Sequence, residues 1–75
     1  MFRGVLSARE LEILLLAARG LSNRKIGEKL HLAEATIRRH LANTYSKMDV
    51  SSRAEATRMA LQEDWITVSD VTEER

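Results

Sequence analysis

Apolar positions recur along this chain at helical intervals. In residues 7–18, Leu11, Leu14, Leu15 and Ala18 mark one face of a helix, and Ile13 and Leu16 widen it. Ser7 opens this segment and Glu10 follows three residues later, the spacing at which an N-cap hydroxyl and a carboxylate each bond the other residue's backbone N–H. Gly20 closes it, where a chain leaving a helix takes positive φ, and Leu21 is expected to pack back on that end. A second helix is predicted over residues 23–30, with Ser22 as N-cap and Ile26 and Leu30 on one face. His31, Leu32 and Ala33 break the period. Ile37, Leu41, Tyr45 and Met48 then restart it over residues 34–48. Asp49 ends that third helix and Val50 folds back. Ser51 and Ser52 offer another N-cap, and a fourth helix is predicted over residues 53–64, with Ala54, Thr57, Leu61 and Trp65 as its inward residues. The expected fold is all-α, with four helices, the second and third forming a helix-turn-helix.

Three residues at the turn carry conformational information. Gly27 follows Ile26 on the side of the second helix that meets the third. A mid-helix glycine costs about 1 kcal/mol against alanine, so it either permits close backbone approach there or is merely tolerated. His31 stands where the turn takes positive φ. His is enriched in that region among non-glycine residues, and no second His, Cys or acid is placed to make it a ligand. Ala33 is the N-cap of the third helix and has no side-chain acceptor; Glu34 offsets that loss in part through the helix dipole.

Composition narrows the function classes. Seventy-five residues form one domain with a single small core and no room for an enclosed substrate cleft. The absence of Cys excludes disulfides and thiolate metal sites and suits a cytoplasmic setting. The longest apolar run, Ile13 to Ala18, is far below the ~20 residues of a membrane-spanning helix. No nucleophile–base constellation, metal cluster or phosphate loop is present, so neither an enzyme nor a cofactor is expected. Residues 1–6 read as a lead-in or linker stub, residues 7–66 as the folded domain, and residues 67–75 as a flexible acidic tail. Charge is unevenly spread: residues 19–47 hold seven basic and two acidic side chains, net +5, whereas residues 48–75 are net −4. A basic middle fits a polyanion-binding face or a plainly solvated one.

Arg38 and Arg39 sharpen that choice. They stand opposite the apolar stripe of the third helix, among Ala35, Ala42, Asn43 and Ser46. A helix presenting adjacent arginines outward from a tight helix-turn-helix suits a DNA major groove. An Arg fork can pair with guanine O6 and N7. Because adjacent residues diverge by about 100° on a helix, one Arg can read bases while the other grips phosphate. Asn43 is placed to read adenine or bind phosphate. Asn23 and Lys25 near the start of the second helix are placed to hold phosphates. His40, Tyr45 and Trp65 are read as core or core-rim residues, the alternatives being a phosphate contact for His40, a stacking platform for Tyr45 and an interface for Trp65. On the fourth helix Ala56, Met59, Ala60 and Glu63 form either a homodimer patch, where small side chains permit close approach about a two-fold axis, or part of an ordinary amphipathic surface.

The sequence resembles the LuxR-type (GerE-like) helix-turn-helix domain, the C-terminal output domain of NarL/FixJ response regulators and quorum-sensing regulators, unrelated to the winged-helix bundle. The resemblance rests on Leu6-Ser7-Ala8-Arg9-Glu10-Leu11-Glu12-Ile13-Leu14, on Gly20-Leu21-Ser22-Asn23-Arg24-Lys25-Ile26-Gly27-Glu28-Lys29-Leu30 and on Thr36-Ile37-Arg38-Arg39-His40-Leu41. It continues through Tyr45-Ser46-Lys47-Met48-Asp49-Val50 and Ser52-Arg53-Ala54-Glu55-Ala56, and covers about residues 5–66. It implies a bacterial transcription regulator that binds double-stranded DNA specifically, as a homodimer through the fourth helix, with a receiver or sensor domain upstream and RNA polymerase as a further partner. By position it places Arg38, Arg39 and Ala42 at bases, and Asn23, Lys25, Thr36 and Arg53 at phosphates. Ala33, Ala42 and His31 depart from the commoner Ser or Thr, longer polar residue and Gly. Two other readings fit parts of the pattern. A sigma-factor region-4-like module shares the opening, though Ser51-Ser52-Arg53 with Glu55-Ala56 argues against it. A helical protein-interaction module would turn the basic face to an acidic partner.

Overall fold

The computed structural model describes residues 6–72, and every regular element in them is a helix. The order is α1 (Ala8–Ala18), α2 (Asn23–Leu30), α3 (Glu34–Met48), α4 (Arg53–Gln62) and α5 (Val68–Thr72). Local chemistry accounts for the boundaries. Ser7 and Glu10 form the reciprocal cap, Ser7 N donating to Glu10 Oε1 at 2.9 Å and Glu10 N to Ser7 Oγ at 3.1 Å. Ser22 Oγ accepts from Lys25 N and Ser52 Oγ from Glu55 N. Ala33 caps α3 with no side-chain bond. α1 stops where Gly20 takes φ +93°, and α2, α3 and α4 stop at left-handed His31, Asp49 and Asp64. After α3 and α4 the chain doubles back, Val50 N donating to Tyr45 O and Trp65 N to Ala60 O. These bonds fill carbonyls that each helix end leaves open.

α1 is the centre. One apolar cluster, Ile13, Leu16, Ala17, Ile26, Ile37 and Leu41, joins α1, α2 and α3, with Leu21, Leu30 and Leu32 packed against it. The other, Leu6, Leu14, Met48, Ala56, Ala60 and Ile66, joins α1, the end of α3 and α4, and Tyr45 touches both clusters. The deeply buried positions of α1 are thus Ile13, Leu14, Leu16 and Ala17 rather than the Leu11, Leu15 and Ala18 of the expected stripe. A helix packed on several sides has no single inward face.

Four expectations need correction. The inward side of α4 is the small one: Ala56 and Ala60 are fully buried and Met59 packs against the core, while Ala54 is exposed. Ala56 and Ala60 lie in the core and offer no surface to a dimer contact, while Glu63, the C-cap of α4, is exposed. Small side chains bring α4 close to α1, and that gain in packing outweighs turning Leu61 fully inward. Residues 67–72 are not a frayed tail. Thr67 N donates to Asp70 Oδ2 and Asp70 N to Thr67 Oγ1, a second reciprocal cap, and Arg19 Nε donates to Asp70 O at 2.7 Å. Leu6, assigned to the lead-in, is buried, and Ile66 is buried with it. The rest of the lead-in, residues 1–5, and residues 73–75 of the tail lie outside the described residues.

Two contacts fix how α3 is carried. At the turn, Gly27 is buried, and a Cβ added to it would come to 2.5 Å from Leu32 O. The Gly27 carbonyl in turn accepts from Leu32 N at 2.8 Å. Gly27 therefore sits there for close approach. At the other end, Lys47 Nζ lies 3.0 and 3.2 Å from the two oxygens of Glu10, whose side chain is nearly buried. One carboxylate thus caps α1 and holds the end of α3. Burial by itself would push the Glu10 carboxyl up; the Ser7 N–H, the Lys47 ammonium and the Ser7 hydroxyl outweigh it and hold it below the ordinary glutamate value. Thr44, on the inward side of α3, is fully buried and its Oγ1 has no hydrogen-bond partner.

Three outcomes follow from this packing. Gly27→Ala is expected to lower stability by about 1–3 kcal/mol through overpacking, the reverse of the gain that helix propensity alone gives, as read by urea denaturation. An unchanged midpoint would show that the Leu32 carbonyl yields freely. Thr44→Val removes a buried hydroxyl without a partner and is expected to stabilise by about 1 kcal/mol; a drop in Tm would reveal an acceptor in solution. Because the folded pKa of Glu10 is depressed, its contribution is complete above the unfolded value and is lost as pH falls through the folded one. Glu10→Gln should therefore flatten the acid side of the stability-against-pH curve, and a curve of unchanged steepness would assign that dependence to other carboxylates.

Candidate nucleic-acid interface

α3 turns Ile37, Leu41, Thr44 and Met48 inward and leaves Ala35, Arg39, Ala42, Asn43 and Ser46 exposed on the far side. Arg38 is exposed on one flank, toward the start of α2. There a concavity of about 270 Å³ is lined by Asn23, Arg38, Leu41, Ala42, Tyr45 and Arg53. The chain thus brings together four of the residues singled out from the sequence, Asn23, Arg38, Ala42 and Arg53, on three different helices. Arg39 and Asn43 are absent from that lining and belong to the open side of α3. Lys25 is exposed on α2, and Thr36 is half-buried in the first turn of α3.

The cations differ in how they are held. Arg24 pairs with Glu28 at 3.4 Å, an exposed pair of the kind worth at most about 1 kcal/mol. Lys47 is tied to Glu10. Among the described residues Lys25, Lys29, Arg38 and Arg39 have no protein acceptor, so their charge is turned to solvent around α2 and α3. Arg53 differs from all of these. Its Nη1 donates to Leu21 O at 2.7 Å and lies 3.4 Å from Ala17 O, and its Nη2 lies 3.4 Å from Asn23 Oδ1. Burial pushes the Tyr45 hydroxyl up, and the Arg53 guanidinium beside it opposes that shift.

The arrangement can do two things chemically. The open side of α3 offers guanidinium, amide and methyl groups in the mixture that reads base edges. The flank offers Asn23 and Arg38 around a partly apolar floor of Leu41, Ala42 and Tyr45. The first-turn N–H groups of α3 have no side-chain acceptor, since Ala33 supplies none. Among the described residues no group of His, Asp and Glu is arranged to hold a metal, and no helix is long and apolar enough to cross a membrane.

Two residues have contacts that their sequence pattern does not announce. Lys47 registered only as one charge in a basic run, although Glu10, three residues past an N-cap, marks a carboxylate held close to the fold. For Arg53 the resemblance implies a phosphate contact. Its acceptors are mostly backbone carbonyls, which leave no mark in a sequence.

Comparison with known proteins identifies the family. Residues 4–60 match the family described as bacterial regulatory proteins, luxR family. The chain is 39% identical over 64 residues to the transcriptional regulatory protein DegU of Brevibacillus brevis, an alignment covering 85% of this chain and 27% of that protein. It is 49% identical over 51 residues to the transcriptional regulatory protein LiaR of Bacillus subtilis, covering 68% and 24% of the two chains. Against the response regulator protein VraR of Staphylococcus aureus it is 40% identical over 62 residues, covering 83% and 30%. The chain therefore spans less than a third of the length of these relatives.

Proposed function

Since this chain belongs to the luxR family of bacterial regulatory proteins, we propose that it is the sequence-specific, duplex-DNA-binding part of a transcription regulator, with α3 lying in the major groove. The observation that carries this reading is the cationic side of α3. Arg38 and Arg39 are both exposed and engage no protein acceptor among the described residues, on a helix whose other side is anchored in the core. Side chains held ready at the cost of mutual repulsion fit a polyanionic ligand.

The roles divide by position. Arg38, Arg39, Ala42 and Asn43 face bases, with Ala42 limited to an apolar contact such as a thymine methyl group. Asn23, Lys25 and Thr36 hold phosphates and set the register. A homodimer through α4 would use the side turned to solvent, including Ala54, Arg58 and Glu63, because Ala56 and Ala60 are inside the core. Two such domains read half-sites about one helical turn apart. The relatives are named as response or transcriptional regulators and are more than three times as long as the matched part. In a protein of that length an upstream receiver or sensor domain would control pairing, and RNA polymerase would be the partner of the bound complex, in the cytoplasm.

Selection of bound sequences from a random duplex library at two salt concentrations tests the reading. Enrichment of a repeated half-site supports it, and the spacing reports the dimer geometry. Binding without enrichment leaves a non-specific polyanion binder, and no binding by folded protein favours a protein-interaction module. On the selected site, Arg38→Ala is expected to lose about 1–3 kcal/mol more than on random duplex. Equal losses on both would make Arg38 a phosphate clamp.

A further inference from the structure

Arg53 stands apart from the other basic residues around the interface. It opens α4, yet its guanidinium reaches back to the corner between α1 and α2, bonding Leu21 O at 2.7 Å and lying near Ala17 O and Asn23 Oδ1. It also flanks Tyr45 of α3. One side chain thus touches all four of the longer helices or their corners. Its Nη groups are already turned to protein acceptors, a poor state for a phosphate ligand and a good one for a strut.

The chemistry at Asn23 gives that strut a consequence. Arg53 has five donors and no acceptor, so only the carbonyl end of the Asn23 amide can face it. With Oδ1 turned toward Arg53, the donor Nδ2 is the end left for an outside acceptor, and Asn23 lines the concavity beside Arg38. We infer that Arg53 is a positioning residue: it fixes the corner at Leu21 and the orientation of the Asn23 amide, so that Asn23 presents a donor to a DNA phosphate while Arg53 itself contacts none. The inference rests on the DNA-binding reading above. It changes the role of Arg53 from ligand to orienter and ties the phosphate anchor on α2 to the start of α4. A shift of α4 would therefore alter the grip on the backbone.

Counterion release separates the two roles. A residue that neutralises a phosphate contributes about 0.9 to the slope of log K against log salt concentration, and a neutral hydrogen bond contributes nothing to it. Binding of the 75-residue chain to sheared mixed-sequence duplex DNA would be measured across salt concentrations for wild type, Arg53→Gln, Arg53→Lys, Asn23→Ala and the Arg53→Lys/Asn23→Ala double variant. Arg53→Gln is expected to weaken binding about tenfold with an unchanged slope. Arg53→Lys keeps the charge and loses the fork, and is expected to weaken binding by a similar factor. In the Asn23→Ala background Arg53→Lys is expected to cost under twofold, because its effect passes through Asn23.

A slope lowered by about 0.9 in Arg53→Gln, with Arg53→Lys near wild type, would make Arg53 a phosphate ligand and overturn the inference while leaving DNA binding intact. Additive losses in the double variant would also overturn it. Failure of the wild type to bind at low salt would sink the DNA-binding reading itself. If Arg53→Gln does not fold, Arg53→Lys and the side-chain amide resonances of Asn23 in the free protein decide. Those resonances are expected to shift in Arg53→Lys, and unchanged resonances would count against the strut.

Discussion

The helix-turn-helix depends on one missing carbon atom. At Gly27 the backbone of α2 meets the Leu32 carbonyl at a distance no side chain allows, since a Cβ there would come to 2.5 Å from that oxygen. From this approach follow the three-residue turn, the left-handed His31, and the placing of Ile26 and Ile37 in one cluster beneath the pair. The propensity loss of a mid-helix glycine, about 1 kcal/mol, is small against the cost of opening that corner. The exposed arginines of α3 take their direction from a contact several residues away that carries no charge.

The far end of α3 is held by different means. The Glu10 carboxylate serves two helices at once, so the start of α1 and the end of α3 share one anchor. Arg53 makes a comparable link using backbone carbonyls. Both are charged groups satisfied inside the domain, and both frame the surface that carries the free charge. Net charge along the sequence cannot tell these two populations apart. Lys47 and Arg53 hold structure, whereas Arg38, Arg39 and Lys25 are turned outward.

What could be read in advance was mostly local. The caps at Ser7, Ser22 and Ser52, the bare Ala33, the stops at Gly20, His31 and Asp49, and the limits of α1, α2 and α3 each depend on a few neighbouring residues, and each is as expected. The misreadings came where distant parts of the chain decide. The two candidate stripes of α4 differed in bulk, and only the proximity of α1 favours Ala56 and Ala60 over Ala54 and Leu61 facing in. The C-terminal residues were polar enough to suggest disorder, yet Thr67 and Asp70 carry the same cap spacing as Ser7 and Glu10. Arg19 secures that last helix from 51 residues away. In the candidate site the residue types of α3 were legible, but the gathering of Asn23, Arg38, Ala42 and Arg53 around one hollow needed three helices in place.

The bare cap at Ala33 makes α3 unequal along its length. Its last turn is closed by Val50 N on Tyr45 O and by the Glu10 anchor, whereas its first turn begins with no side-chain acceptor. The Thr36 amide, which a capping side chain would take, falls back on the Ala33 carbonyl at 3.0 Å, and the amides of Glu34 and Ala35 are expected to exchange with solvent sooner than those near Tyr45 and Met48. A ligand that supplies oxygen atoms to the first turn would slow that exchange and take on the entropy loss of ordering it. The helix thus keeps at its leading end open donors that only contact would fill.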